Sequence, residues 1–398
     1  MDAGAWRLTL AAAALMALVS GGRASYGLFV SPLNSASGIG LASFSLALAL
    51  GQLAVGLTQP LLGALADRAG AARVIVCGAA ILALATVLPV GWPVPEVVAC
   101  SVIASALAGS AVASNGLLIG EVSRSVPPAR AGFAVGLVGA GTSFGLLLLG
   151  PATHWAIENQ GWARALLITA ALSLVAWPLS APFRRVRAQP LTPSSTAVTD
   201  AMREWRFWRV ALSFGVCGFH VSFIAVHMPG VIERCGLPSS LAGLWVAVNG
   251  AANIVGSLAV GWALKHLDPA RLLAGLYAIR ALGIVAIVVL PPSAALLLGF
   301  AVVMGASFMA TLPPTSQLVA RQHGVARLGT LFGFVMLVHQ IGGFAGIWFG
   351  GWAAQETGND RLLWCIDFAL AMVAMALVWP RASRPRRPLG QRTVPTST

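Results

Sequence analysis

A few ionisable and amide side chains stand inside otherwise apolar stretches of this 398-residue chain, and its chemistry must lie with them. A charge at the centre of a bilayer costs about 2.5–3.5 kcal/mol on insertion scales, so each needs a reason. Arg23 lies roughly two thirds along the first apolar stretch and shares a helical face with Ser20 and Tyr26. His220 and His227 flank Phe223 in a later stretch and share one face. Their spacing is too long for a shared ion and no third ligand is near, so no metal site is expected. Asn249, Asn253 and Ser257 form an i, i+4, i+8 stripe beside Gly250 and Gly256. His339 and Gln340 precede Gly342, Gly343 and Gly346, and Asn115 sits near the end of its own stretch. Arg280 and Asp367 are each well inside an apolar segment, and they either pair with one another or leave Arg280 to meet a ligand.

Each position also has a structural reading. Arg23 could snorkel to the interface, His220 could make an interhelical hydrogen bond, His227 could sit at the interface, and the small and amide residues could simply join helices. The charge balance favours a ligand: one or two arginines and several neutralisable histidines face no carboxylate of their own. An unpaired cation in a dry cavity favours an anion. Arg23, Tyr26, Asn115, His220, Phe223, His227, Asn249, Asn253, Arg280, His339 and Gln340 are therefore the candidate substrate-binding residues. No nucleophile–base set is present, so no catalytic residue, enzyme activity or cofactor is expected.

The elements that hold these residues must cross a membrane. The chain is 58% hydrophobic and only 9% charged, against roughly 25% charged for a soluble domain, and could not cover a water-facing surface. Its apolar runs are near 20 residues and do not alternate, which predicts an all-α integral membrane protein. Turn and charge signals predict twelve spans, at 8–30, 41–62, 74–92, 96–120, 131–153, 163–181, 208–231, 239–263, 271–290, 293–318, 329–353 and 361–380. With almost no basic n-region and no small-residue cleavage site, the first reads as a retained helix. The five cysteines are scattered without metal or disulfide spacing.

The net charge of +13 lies in loops and tails without interleaved aromatics, which argues against nucleic acid as a partner. With both ends inside, the inner face collects 20 of the 25 basic residues and the outer loops only Arg164, Arg234 and Arg361. That bias predicts a multi-pass protein of the cell inner membrane with cytoplasmic termini. The organisation expected is a six-helix bundle at 1–181, a Pro/Ser/Thr/Arg-rich cytoplasmic linker at 182–207, a second bundle at 208–380 and a basic tail at 381–398.

The two halves read as copies. A charged turn after the second span, Gly63-Ala-Leu-Ala-Asp67-Arg68-Ala-Gly70-Ala-Ala-Arg73, has an eroded echo in Gly261 and Arg271, with Lys265 and His266 in place of the Asp-Arg pair. Near an offset of 197, Arg23 matches His220, Tyr26 matches Phe223 and Pro32 matches Pro229. Repeated halves place a substrate site near the midplane between them.

The 63–73 run resembles the signature G-x-L-x-D-R-x-G-x-x-R/K of the major facilitator superfamily. The resemblance implies twelve helices in two pseudo-symmetric six-helix bundles. It also implies gating by this turn and its echo, through Gly63, Asp67, Arg68, Gly70, Arg73, Gly261 and Arg271. Three further stretches resemble the monocarboxylate transporter and oxalate–formate antiporter branch: Gly22-Arg23-Ala-Ser25-Tyr-Gly27-Leu-Phe29, Cys217-Gly218-Phe219-His220 with His227-Met-Pro229, and His339-Gln340-Ile-Gly342-Gly343. That implies proton-linked or exchange transport of a small carboxylate, with Arg23 engaging the anion. The branch often carries an Asp and an Arg on the eighth helix, where Asn249 and Asn253 stand here. Cation pumps of the superfamily use a membrane-embedded carboxylate, and no such embedded group stands in spans 1, 4, 7, 8, 10 or 11, Glu96 being the first residue of the fourth. The fifth span has Gly141, Gly145 and Gly150-Pro151 but not the full signature of drug–proton exchangers.

The expectation is thus a monomeric secondary transporter of a small organic anion in a lipid bilayer, with a proton as coupling ion or a second anion in exchange. A histidine, whose ordinary pKa is ~6.5, suits the proton role. The alternatives are an exporter of amphipathic or hydrophobic compounds and a transport-dead sensor on the same scaffold.

Overall fold

Helix breakers and glycines divide the chain much as the apolar runs predict. A computed structural model describes residues 3–113, 115–185, 196–323, 328–357 and 361–380, with no strand among them. The first half contains α1 (Ala3–Ala24), α2 (Tyr26–Ser37), α3 (Leu41–Ala69), α4 (Ala71–Gly91), α5 (Pro95–Val112), α6 (Asn115–Ser125), α7 (Pro128–Ser173) and the short α8 (Ala176–Leu179). The second half follows α9 (Thr196–Arg203) and contains α10 (Trp205–Arg234), α11 (Ser240–Ala263), α12 (Pro269–Val289), α13 (Ala294–Ser307), α14 (Leu312–His323), α15 (Leu328–Thr357) and α16 (Arg361–Val378).

These helices make twelve crossings. α1 and α2 form the first, bent at Ser25, whose hydroxyl donates back to the Gly21 carbonyl at 2.9 Å. α7 supplies two: its 46 residues would extend ~69 Å, twice the bilayer core. It folds over at Gly161, where φ is +80°, a conformation that favours glycine. No proline marks that corner, so the boundary between the fifth and sixth spans is softer in the sequence than in the structure. The turn between α3 and α4 is the single residue Gly70, at φ +91°. α9 lies inside the 182–207 segment, which composition predicts to be plain linker.

Pairing repeats between the halves. α1 packs on α7 as α10 packs on α15, α3 on α5 as α11 on α13, and α4 on α7 and α8 as α12 on α16. Across the bundles α3 meets α15, α7 meets α11, and α2 meets α10. Small residues allow this closeness. A Cβ at Gly141 or Gly145 would overlap the backbone of Ala13 or Ala17. Likewise, one at Gly218, Gly342 or Gly346 would overlap backbone across the α10–α15 seam.

The even number of crossings gives two faces. The terminal face carries Ala3, α9 and the end of α16; the far face carries the 38–40, 235–239 and 290–293 turns. Exposed tryptophans band both: Trp6, Trp205, Trp262 and Trp379 at the terminal face, Trp92, Trp155 and Trp352 toward the far face.

Apolar clusters show which half is closed. In the far half they bridge the bundles, with Leu28 joining Phe223 and Trp245, and with Val226 and Ile347 joining Phe29 and Phe44. In the terminal half each cluster stays within one bundle, Ala5 to Phe183 or Ala201 to Val378. Among the described residues the bundles therefore touch on the far side and part on the terminal side.

Candidate functional site

Between the bundles lies a central cavity of about 310 Å³, at the lower end of the range for small-molecule sites. Its walls are largely apolar, with Leu48, Val55, Val246 and Met304 among them. Polar groups enter at a few points. Arg23, in the last turn of α1, is exposed at the cavity wall and makes no hydrogen bond or ion pair with any described residue. The bend at Ser25 and the packing of Gly21 on Gly145 turn the neighbouring Gly22 and Arg23 toward the open space. Tyr26 follows on the same wall, near Thr86 and Ser105.

The opposite wall carries amides and an imidazole. Asn249 lines it, its amide 3.4 Å from the Ala301 carbonyl. His339 stacks at 4.7 Å from the Phe214 ring, and its Nδ1 lies 3.4 Å from Gln340 Oε1. Gln340 accepts a 2.7 Å hydrogen bond from Gln52 of α3, joining the bundles beside the cavity. Among the described residues no Asp, Glu or Lys lines the space.

Arg23, Tyr26, Asn249, His339 and Gln340 thus come together, while five predicted contacts stand elsewhere. On α10 the cavity receives Cys217, Val221 and Ile224. His220, Phe223 and His227 do share a face, but it lies a quarter to a third of a turn away and meets α15 and α16. His220 Nε2 lies 3.1 Å from the Asp367 carbonyl, and His227 Nε2 lies 2.7 Å from the Ile347 carbonyl. Phe223 packs on Trp364. The repeat relation of His220 to Arg23 therefore does not extend to the cavity: the first crossing bends at Ser25, whereas α10 runs unbroken.

Asn253 is fully buried and joins three elements. Its amide donates to Ser143 of α7 at 2.9 Å, and its Oδ1 accepts from the Met309 amide at 3.0 Å, where the break between α13 and α14 frees a backbone N–H. Arg280 is also fully buried and does not pair with Asp367. It donates to Ser307 Oγ at 2.9 Å, the Ser307 carbonyl at 2.5 Å and Cys217 Sγ at 3.2 Å. It thereby satisfies the end of α13 from behind the cavity wall. The side chain of Asn115 lies outside the described residues.

Gln52, Ser222 and Thr311 also line the cavity without a sequence reading of their own, as does Cys217, which entered only as part of a motif. Gln52 carried the needed signal, an amide inside an apolar span.

Of the proposed gating residues, Gly63 and the side chains of Asp67 and Arg68 lie outside what is described. Arg73 Nη1 lies 3.4 Å from the Ala69 carbonyl, at the C-terminus of α3. At the echo, Gly261 is open, and Asp268 caps α12 by accepting from the amides of Ala270 and Arg271 at 3.0 and 3.2 Å. Asp268 also meets Arg321 at 3.4 Å, so an acidic residue does stand at this second turn.

The sequence pattern of the Major Facilitator Superfamily matches residues 12–347, most of the chain. The chain belongs to that superfamily. It is a membrane transporter of this family and not an enzyme. Among its relatives, the "Uncharacterized MFS-type transporter YcxA" of Bacillus subtilis (strain 168) is 25% identical, covering 89% of this chain and 90% of its own length. "Monocarboxylate transporter 11" of Mus musculus is 27% identical over 66% of this chain and 62% of that protein. Among solved structures, the nucleoside transporter NupG superposes with a TM-score of 0.76 at 14% identity, covering 96% of this chain and 100% of that one. A bacterial homolog of the human lysosomal transporter Spinster, inward-facing and unoccupied, gives 0.70 at 16% identity, over 95% of both chains. At such identities these structures speak to the fold alone.

Proposed function

We propose that this superfamily member carries a small organic anion, with a monocarboxylate the favoured cargo, by alternating access coupled to protons or to exchange. One observation carries the reading: Arg23 presents an unpaired guanidinium to a mostly apolar cavity that holds no carboxylate among the described residues. A guanidinium matches a carboxylate in charge and in fork geometry. The apolar walls would receive the rest of the anion, with Tyr26, Asn249, His339 and Gln340 near its polar end. The naming of the mouse relative as a monocarboxylate transporter agrees.

The basic terminal face is assigned to the cytoplasm of an inner membrane, the units to 1–181 and 208–380, and the working form to a monomer. Gly63 to Arg73, with Gly261 and Arg271, is the latch of the terminal face in the opposite state.

The test is thermal unfolding of purified protein with lactate, pyruvate and benzoate against the matching amides, followed by uptake into proteoliposomes. Ligand that binds the folded state raises its stability by mass action. Stabilisation by carboxylates and not by amides is expected. A second reading, export of amphipathic compounds, draws on the cavity methionines Met16, Met304, Met309 and Met336, adaptable side chains common at promiscuous surfaces. Equal stabilisation by neutral amphipaths, with none by carboxylates, would decide for it.

A further inference from the structure

Behind the α10 wall of the cavity sits a buried acid–base pair that anion binding does not use. His220 of α10 and Asp367 of α16 are both fully buried. His220 Nε2 lies 3.1 Å from the Asp367 carbonyl and 3.2 Å from its Oδ1, aligned for the carbonyl alone. Both carboxyl oxygens and His220 Nδ1 are consequently left without a hydrogen-bond partner. Buried polar groups are seldom orphaned, and an orphaned charge costs several kcal/mol. This is an unusual arrangement for a purely structural pair.

The surroundings define what it could do. From α12, the charged group is Arg280, whose hydrogen bonds go to Ser307, Phe308 and Cys217 rather than to Asp367. Tyr277, also on α12, donates to the Ser213 carbonyl. From α10 there are His220 itself and Cys217, one turn earlier. From α15, His339 faces the cavity. The titratable neighbour on α16, Cys365, is exposed at the outer surface. With Asp367 ionised and His220 neutral, Arg280 and Asp367 balance to zero. One added proton, on the Asp367 carboxyl, leaves the cluster at +1. Cys217, bonded to Arg280, forms the cavity wall directly in front.

We propose that the His220–Asp367 pair binds the coupling proton, outside the substrate cavity, and draws the anion in by adding one positive charge behind that wall. This rests on the anion reading given above. The linkage is reciprocal: a proton on the pair strengthens anion binding at Arg23, and the anion strengthens retention of the proton. Apparent affinity for the anion therefore rises as pH falls. No proton has to pass through the cavity residues while the anion is bound.

Two measurements on the full-length protein test this. Infrared difference spectra over a pH titration, with no substrate present, should contain a protonated-carboxyl band that Asp367→Asn removes. His220→Gln should move the band's midpoint by about one pH unit or more. In proteoliposomes, the half-saturating concentration of pyruvate should fall with pH in the wild type and become flat in Asp367→Asn. The proposal is overturned by a band that persists in Asp367→Asn, or by a pH dependence of pyruvate affinity that survives it. If Asp367→Asn does not fold, an unmoved midpoint in His220→Gln overturns it instead. The spectra need no anion, so a failure of the carboxylate reading leaves the proton site separately decided.

Discussion

On the proposed anion reading, Arg23 is the residue on which the transport chemistry turns. Arg23→Gln removes the charge and shortens the side chain while keeping a polar amide. It should raise the half-saturating concentration of a carried carboxylate about ten- to hundredfold, the worth of one or two charge-assisted hydrogen bonds. Arg23→Lys should restore part of that loss, because a lysine supplies charge without the fork. Uptake into proteoliposomes reads both, and unchanged saturable flux in Arg23→Gln would refute the role. At this scale the sequence was legible at five polar groups that interrupt apolar runs, since Arg23, Tyr26, Asn249, His339 and Gln340 all reach the cavity, whereas Asn253 and Arg280 interrupt such runs and stand behind its wall. It was not legible for His220 and His227. Periodicity says which residues share a face, but not which neighbour that face meets. The phase of α10 is set by its glycine seam with α15, a tertiary contact.

Among the elements, the seam between α1 and α7 aims Arg23. Gly141 and Gly145 are pressed against the backbone of Ala13 and Ala17, whereas Gly136 and Gly139 on the same helix face open space. Gly145→Leu should therefore lower stability by roughly 1–3 kcal/mol through overpacking, seen as a drop in melting temperature and folded yield. Gly139→Ala should leave both within error. Helix ends marked by proline or by glycine with charge fell close to expectation: α5 begins at Pro95 and the α3–α4 turn is Gly70. The Gly161 corner was harder to place, because an isolated glycine signals freedom and the turn becomes obligatory only when neighbouring helices bound its length.

The whole molecule shows the doubling that the eroded repeat announced, in the matched pairings within each half and the crossed contacts between them. Its site is nonetheless asymmetric, with a guanidinium from the first half and amides and an imidazole from the second. The far side is held shut by α7 against α11, where a Cβ at Gly243 would stand 2.8 Å from that of His154. A separation of about one ångström more gives ordinary disulfide spacing. The double variant Gly243→Cys with His154→Cys should therefore cross-link on mild oxidation and lose transport, and reductant should restore it. Full flux in the oxidised protein would show that this seam need not open.

The solitary guanidinium has a kinetic consequence as well. Between its two open states an alternating carrier must close over its centre, and closure removes water from whatever is inside. On the proposed reading, with an anion aboard, Arg23 makes that passage neutralised. Empty, it must make it bare, and an uncompensated charge in a dry interior is heavily penalised. The vacant carrier is thus the slow traveller of the cycle. Swapping an anion on one side for an anion on the other should run several times faster than one-way movement, as counterflow of labelled against unlabelled pyruvate would show, and Arg23→Gln should erase the difference.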